Sequence, residues 1–366
     1  MQLGIRREPA ISEARVAATP ASVVSLIELG FDIAVVSGAG DRSAITDEQF
    51  QEAGAQIVTS FADAAPLDLL FTVGPIDATA LDVLADHGVV LGLLDPTANA
   101  QALQDIAEQG VTSIAMELVP RSTLAQSMDA LSSQATAAGY AAVLLGATKL
   151  PKFLPMLVTA AGTVPPARIL ILGVGVAGLQ AIATARRLGG IVSAYDIRPE
   201  TREQVESLGA RFVEAPTQKM DEGGYATEVD EATAAAQREV LSSAVAESDL
   251  IITTAQVPGR QAPRLIDRAM IEGMKAGSVV IDMAASSGGN VEGSEPDGEV
   301  VISGVRIYGP SDLAASVAAD ASRMYARNLL EMAKRMVLDG ALRVDPEDPV
   351  VGPAIAARPD SGGTDE

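Results

Sequence analysis

At 366 residues the chain is too long for one ordinary core, so two domains are expected. A formal net charge of −22 repels phosphate backbones and anionic lipid, which argues against nucleic acid or a bare membrane surface as partner. With no cysteine and one histidine, His87, disulfides, thiol nucleophiles and multi-histidine metal sites are excluded, and no spaced carboxylate loop offers a hard-cation site.

Aromatics make up only 3% of a chain that is 48% hydrophobic, so its cores must be built from Ala, Val, Leu and Ile. That composition suits parallel sheets covered by closely packed helices. Met1-Gln-Leu-Gly-Ile followed by charges has no apolar signal core. The nearly apolar run Ile169–Ala185 is short for a spanning helix and contains Gln180. A soluble cytoplasmic protein without direct membrane insertion is expected.

The first third alternates in the α/β manner. Strands are expected at Gln2–Ile5, Ile33–Val36, Gln56–Val58, Leu67–Phe71, Val89–Leu93 and Thr112–Ala115. Helices such as Pro20–Leu29 and Ala98–Glu108 are stopped by Gly30 and Gly110. Strands separated by helices imply a parallel sheet. This domain has no glycine fingerprint and is not expected to carry a dinucleotide of its own. Arg15 either binds a substrate carboxylate or pairs with neighbouring acids. His87 falls at an expected helix end before Gly88, where it would stabilise the negative terminus without a catalytic role.

Pro120 to Ser132 is a polar cluster leading into a long helix, Ser127–Leu145. Along that helix Met128, Leu131, Ala135, Ala138, Ala142 and Leu145 recur at spacings of three and four. Arg121, Gln126, Asp129 and Ser132 supply a guanidinium, a carboxamide, a carboxylate and a hydroxyl, a set suited to a nicotinamide amide and ribose. On these residues alone, a capped helix start with an exposed salt bridge is the favoured reading.

Next comes Arg168-Ile-Leu-Ile-Leu-Gly-Val-Gly-Val-Ala-Gly178, a short apolar strand opening into Gly173-x-Gly175-x-x-Gly178. The helix Leu179–Leu188 follows, then a second apolar strand, Ile191–Tyr195. Strand, glycine turn and helix make a dinucleotide-binding corner, with free helix amides facing a pyrophosphate. The second strand ends at Asp196, about 20 residues past Gly175, where a carboxylate meets the adenosine ribose hydroxyls. The acid repels a 2′-phosphate, so NAD(H) is preferred over NADP(H). Arg198 is then an adenosine-side contact or a surface residue. The expected cofactor contacts are Gly173, Val174, Gly175, Val176 and Gly178 in the corner, with Asp196, Ile197 and Arg198 after the second strand.

Ala215–Asp230 is polar, acidic and broken by Pro216 and Gly223-Gly224. It reads as a mobile lid with Tyr225 as a contact, or as a solvated loop. A second long helix is expected from Leu313 to Asp339, with Val317, Ala321, Met324, Tyr325, Leu329, Met332 and Met336 on one side and Gly340 at its end. The tail after Pro346 is expected to fray. The simplest organisation is an outer domain of residues 1–131 plus 322–366, with an inserted Rossmann domain over 132–321.

These motifs resemble a known family. Pro120 to Gln134 (PRSTLAQSMDALSSQ), Ala160 to Ala167 (AAGTVPPA), Gly173 to Thr184 (GVGVAGLQAIAT), Glu203 to Gly209 (EQVESLG) and Val317 to Ala321 (VAADA) are similar to the NAD(H)-binding alpha subunit, domain I, of proton-translocating NAD(P) transhydrogenase. The similarity runs from Met1 to about Leu338. It implies an α/β fold of two Rossmann-like parallel-sheet domains joined by long crossing helices, the alanine dehydrogenase/transhydrogenase domain I type. It also implies that Arg121, Gln126, Asp129 and Ser132 enclose the nicotinamide and its ribose, against the plainer reading above. Gly224, Tyr225 and Gln237 match a loop that closes over NAD.

As partners the resemblance implies a homodimer, an NADP(H)-binding beta subunit (domain III), and separate membrane subunits that couple hydride transfer to proton movement. The chain would then lie peripherally at the inner face of the membrane. The alternatives are an alanine dehydrogenase, which has the same fold and the Arg15-Val-Ala pattern, and a non-enzymatic NAD sensor. Alanine dehydrogenases use a lysine and a histidine in the substrate cleft. Here the corresponding stretches, 69–75 (LLFTVGP) and 89–95 (VVLGLLD), hold neither.

Overall fold

The computed structural model describes residues 1–64, 66–76, 83–215, 231–256 and 260–359. They form two compact units, Met1–Gln134 with Ala314–Glu366, and Ala135–Leu313. Each is built on its own seven-stranded sheet.

The first unit opens with β1 (Gln2–Ile5), α1 (Pro20–Glu28), β2 (Asp32–Val36), α2 (Asp47–Glu52), β3 (Gln56–Val58), β4 (Leu67–Phe71), β5 (Leu84–Gly92), α3 (Ala100–Glu108) and β6 (Thr112–Ala115). The start of α1 is set locally: Pro20 opens the helix, and Thr19 and Ser22 cap each other through side chain and backbone. The strands β1 to β6 pair in parallel, with β1 between β2 and β4.

β5 corrects one expectation. It begins at Leu84, opposite Leu67, but Val89 already faces Leu69, so the extra residues bulge out of the ladder. His87 sits in that bulge, exposed, with φ at +66°. It caps no helix. The Asp-His-Gly signal resembles a helix stop because both features need a left-handed residue.

Helix α4 (Ala130–Lys149), which begins at the end of the first unit's opening segment and runs on into the second, starts later than periodicity predicts. Thr123–Met128 is a 3-10 stretch, and Asp129, at ψ +85°, separates it from the α-helix. The buried face of α4 includes Ala137, Ala141, Ala142 and Val143, whereas Leu131 is exposed. A helix so evenly apolar leaves periodicity little to distinguish one face from another. A small hairpin, β7 (Leu157–Thr159) and β8 (Gly162–Val164), precedes the main sheet.

That sheet contains β9 (Arg168–Leu172), β10 (Ile191–Tyr195), β11 (Arg211–Phe212), β12 (Leu250–Thr253), β13 (Val279–Asp282), β14 (Glu299–Ile302) and β15 (Val305–Tyr308), in the order β11-β10-β9-β12-β13-β15-β14. Only β14 runs antiparallel. Helices α5 (Val176–Arg187), α6 (Arg202–Ser207), α7 (Glu231–Glu247) and α8 (Arg268–Glu272) connect the parallel strands. Its core is aliphatic, with Leu170, Leu172, Ile251, Val280 and Ile307 buried together.

The chain then returns to the first unit with α9 (Ala318–Met336), the hairpin β16 (Val337–Leu338) and β17 (Ala341–Leu342), α10 (Val351–Ala354) and β18 (Ile355–Ala357). Helix α9 ends at Met336, and Gly340 lies in the hairpin turn instead of ending the helix. The tail does not fray at once. β18 pairs antiparallel with β6 and completes the order β18-β6-β5-β4-β1-β2-β3. Tyr325, Leu329, Met332 and Met336 of α9 bury against Leu3, Ile5, Phe71 and Leu91. Each side chain so buried is worth about 1.5–3 kcal/mol. Among the described residues no helix is long and apolar enough to cross a membrane.

Candidate functional site

In the second sheet β9 has β10 on one side and β12 on the other, so the order reverses there. Ligands of open α/β sheets bind at such a switch point, outside the carboxyl ends of the strands. Gly173 follows β9 at φ +95°, a conformation that disfavours any side chain, and its amide donates to the Tyr195 carbonyl at 2.9 Å. Gly178 packs so closely that a Cβ would lie 2.0 Å from the Gly173 oxygen, whereas one on Gly175 would meet nothing within 4 Å. The turn is therefore tight where helix meets strand and open where a phosphate would approach. Helix α5 begins at Val176 without a side-chain cap, leaving its first-turn amides to an anion.

Asp196 closes the other side of this corner. Its Oδ2 accepts from the Val174 amide at 2.7 Å and from Arg198 Nη2 at 3.0 Å. Its Oδ1 accepts from the Arg198 amide and Nε, both at 2.9 Å. Burial alone would raise this carboxyl, but the Arg198 guanidinium and the two amides hold it below the ordinary carboxylate range. Arg198 also reaches the Val174 carbonyl at 3.3 Å. Val174 is buried, while Val176 and Ile197 are exposed.

The switch point of the first sheet lies between β1 and β4, and a carboxylate fills it. Glu8 Oε1 accepts from the Val73 amide at 2.8 Å and from Thr72 Oγ1 at 3.2 Å, and Arg6 lies 3.5 Å from Oε2. A phosphate would be repelled there. Desolvation pushes the Glu8 carboxyl up despite Arg6. Arg15 is buried and pairs with its neighbours: Nε and Nη2 donate to the two Glu13 oxygens at 2.8 and 2.6 Å, and Nη1 donates to Gln134 Oε1 at 2.9 Å.

Of the expected nicotinamide group, Asp129 and Ser132 are joined directly. The Ser132 amide and hydroxyl donate to the two Asp129 oxygens at 2.8 and 2.6 Å, so Asp129 caps α4. Arg121 and Gln126 stand exposed on the segment just before it, with Gln126 on the 3-10 stretch and not on the helix. Gln237 is half-buried on α7. Gly224, Tyr225 and nearly all of the expected lid, residues 216–230, lie outside the described residues. Among the described residues no cluster of three His, Asp or Glu side chains could hold a metal.

Sequence reasoning passed over Thr254 and Asn290. Thr254 follows β12 across the switch point, and its hydroxyl donates to the Gly173 carbonyl at 2.9 Å. The only signal was a hydroxyl residue at the end of an apolar strand. Asn290, fully buried, is 36 positions further on, and nothing local in the sequence links the two.

Residues 4–138 match the family described as alanine dehydrogenase/PNT, N-terminal domain, and residues 142–360 match alanine dehydrogenase/PNT, C-terminal domain. The chain belongs to this family. It is 42% identical over 357 residues to the first part of NAD(P) transhydrogenase subunit alpha of Rickettsia prowazekii, covering 95% of this chain and 92% of that protein. Against the protein of the same name from Rhodospirillum rubrum it is 44% identical over 340 residues, covering 90% and 88%. Alanine dehydrogenase of Mycobacterium tuberculosis is 33% identical over 300 residues, covering 81% and 76%.

The fold superposes on the crystal structure of transhydrogenase from Sinorhizobium meliloti with a TM-score of 0.90 at 44% identity, covering 98% of this chain and 99% of that one. For an L-alanine dehydrogenase structure the TM-score is 0.77 at 27% identity, covering 91% and 88%. The resemblance to transhydrogenase alpha subunits and the two-sheet α/β class expected from sequence both hold.

Proposed function

We propose that this chain is the NAD(H)-binding subunit of a proton-translocating NAD(P) transhydrogenase. In this reading it binds NAD(H) and works only with partners: an NADP(H)-binding beta subunit (domain III) and separate membrane subunits that couple the reaction to proton movement. It acts as a homodimer at the inner face of the membrane. The corner suits the cofactor, since Gly175 leaves open space before the uncapped start of α5 and a carboxylate stands beside it.

Gly173, Val174, Gly175, Val176 and Gly178 hold the pyrophosphate, and Asp196, Ile197 and Arg198 meet the adenosine end. The four hydrogen bonds that Asp196 accepts fill a carboxylate's acceptor positions. Ribose hydroxyls are therefore taken in exchange for the Arg198 guanidinium, which is partly exposed and can leave. Arg121, Gln126, Asp129 and Ser132 orient the nicotinamide end, and Gly224, Tyr225 and Gln237 close over the cofactor. The dihydronicotinamide, when bound, supplies the hydride. The chain itself contributes position and orientation, so no general acid or base is needed.

The observation that favours this reading over a metabolite dehydrogenase is Arg15. Its guanidinium is buried, bidentate on Glu13 and also bonded to Gln134, so a substrate carboxylate would have to compete with an ion pair already formed. Mixing the purified chain with an NADP(H)-binding domain III and following hydride exchange between NADH and an NADP analogue tests the proposal. No exchange above the rate of either component alone would overturn it.

A further inference from the structure

The glycine corner is latched from behind by a hydrogen-bonded relay that is fully buried at Asp282 and Asn290 and half-buried at Thr254. Asp282, at the end of β13, is fully buried. Its Oδ1 accepts from Thr253 Oγ1 at 2.8 Å, the Ala284 amide at 3.0 Å and the Asn290 amide at 3.3 Å. Its Oδ2 accepts from Ser294 Oγ at 2.6 Å and the Val291 amide at 3.2 Å. One carboxylate thus gathers the loop that follows β13 and fixes Asn290.

Asn290 then treats Ala255 as a neighbouring strand would. Its Oδ1 accepts from the Ala255 amide at 3.1 Å, and its Nδ2 donates to the Ala255 carbonyl at 2.8 Å and the Pro263 carbonyl at 2.8 Å. All three side-chain bonds go to backbone groups on either side of the segment after β12. Thr254, one residue before Ala255, carries the restraint across the switch point. Its amide donates to the Leu172 carbonyl at 2.8 Å, and its hydroxyl donates to the Gly173 carbonyl at 2.9 Å. That carbonyl belongs to the glycine whose φ is +95°.

We infer that Thr254 and Asn290 are positioning residues for dinucleotide binding, holding the glycine turn in its phosphate-ready shape without touching the ligand themselves. The inference rests on the reading of this corner as the NAD(H) site. The Asp282–Asn290 end of this relay is fully buried and costly to leave half-satisfied, since a buried group stripped of its partner loses its desolvation compensation. The turn therefore has one shape while the relay is intact. Without the Thr254 hydroxyl the Gly173 carbonyl loses its fixed donor, and the turn samples other shapes before a ligand arrives.

The test is fluorescence titration of the full chain with NADH, alongside thermal unfolding. Thr254→Val keeps the shape and removes the hydroxyl, and Thr254→Ser restores it. Thr254→Val should weaken NADH binding roughly five- to tenfold, the equivalent of about one hydrogen bond, while Thr254→Ser stays within about twofold of the parent. Asn290→Asp keeps the acceptor for the Ala255 amide but sets a carboxylate against two carbonyls, and should weaken binding more. Should Asn290→Asp fail to fold, the Thr254 pair decides alone. Parent-like affinity in Thr254→Val, or equal losses in Thr254→Val and Thr254→Ser, would overturn the inference while leaving the site intact. Failure of the parent chain to bind NADH would overturn the site itself.

Discussion

The Val174 amide donates to Asp196 Oδ2 at 2.7 Å, so the acid that ends β10 is also a strut of the glycine turn that follows β9. In the proposed function this one carboxylate both shapes the phosphate loop and discriminates between ribose and a 2′-phosphate. The strands are parallel neighbours with Tyr195 opposite Leu172, which brings the next residues of both to the same edge.

Asp196→Asn should therefore narrow the preference for NADH over NADPH. The amide keeps an acceptor near Val174 but loses the charge that holds Arg198 and repels a phosphate. NADH affinity should fall roughly tenfold or more, as for a lost charge-assisted hydrogen bond, with a smaller fall or a gain for NADPH. Paired fluorescence titrations measure this. An unchanged ratio of the two affinities would remove Asp196 from the specificity role.

A second prediction concerns pH and the carboxyl edge of the first sheet. Glu117 Oε1 accepts from the Asp95 amide at 2.8 Å, while Oε2 is buried without a hydrogen bond among the described residues. Desolvation raises this carboxyl above the ordinary range. Its folded pKa exceeds its unfolded one, so its stabilising contribution is full below the unfolded pKa and is lost as pH rises through the folded pKa. Glu117→Gln should flatten that part of the decline. Urea unfolding at pH 5 and pH 8 checks it, and an equal decline in both proteins would refute the assignment.

Asp129 allows structure and function to be separated. Asn is as good a helix cap as Asp, so Asp129→Asn should unfold at nearly the parent temperature, while Asp129→Ala should cost about 1 kcal/mol. In the proposed function Asp129→Asn and Gln126→Asn slow hydride transfer far more than they weaken NADH binding, because the corner and Asp196 hold the other end of the cofactor. Transfer at the parent rate in both variants would place the nicotinamide elsewhere.

The sequence made the sheets legible because their strands are short apolar runs bounded by glycine and charge. Gln2–Ile5, Gln56–Val58, Leu67–Phe71 and Thr112–Ala115 are strands over the expected residues. Apolar spacing places the start of α4 too early because the cap that begins it, Asp129 on Ser132, lies within a stretch whose apolar spacing already looks helical. β18 is invisible in the sequence because a Pro- and Gly-rich tail carries no periodicity, and its partner β6 is more than 200 positions away. The corner itself was readable as a local motif. Its latch through Thr254 and Asn290 joins distant parts of the chain, so no window of sequence contains it.

The last prediction separates a transhydrogenase subunit from a dehydrogenase of the same family. Alone, the chain should oxidise neither alanine nor another small amino acid with NAD. Glu13 and Gln134 already pair with the Arg15 guanidinium, and the Glu8 carboxyl occupies the crevice between β1 and β4. A lysine or histidine to handle protons is missing from 69–75 and 89–95. With an NADP(H)-binding domain III present, hydride should pass from NADH to an NADP analogue without any metabolite. Glu13→Ala sharpens the comparison, since it removes the carboxylate paired with the Arg15 guanidinium yet supplies no proton acceptor. It should leave transfer between nucleotides nearly unchanged and still give no alanine oxidation. Alanine oxidation by the unmodified chain, measured as NADH formation at 340 nm, would assign it to the dehydrogenase branch instead.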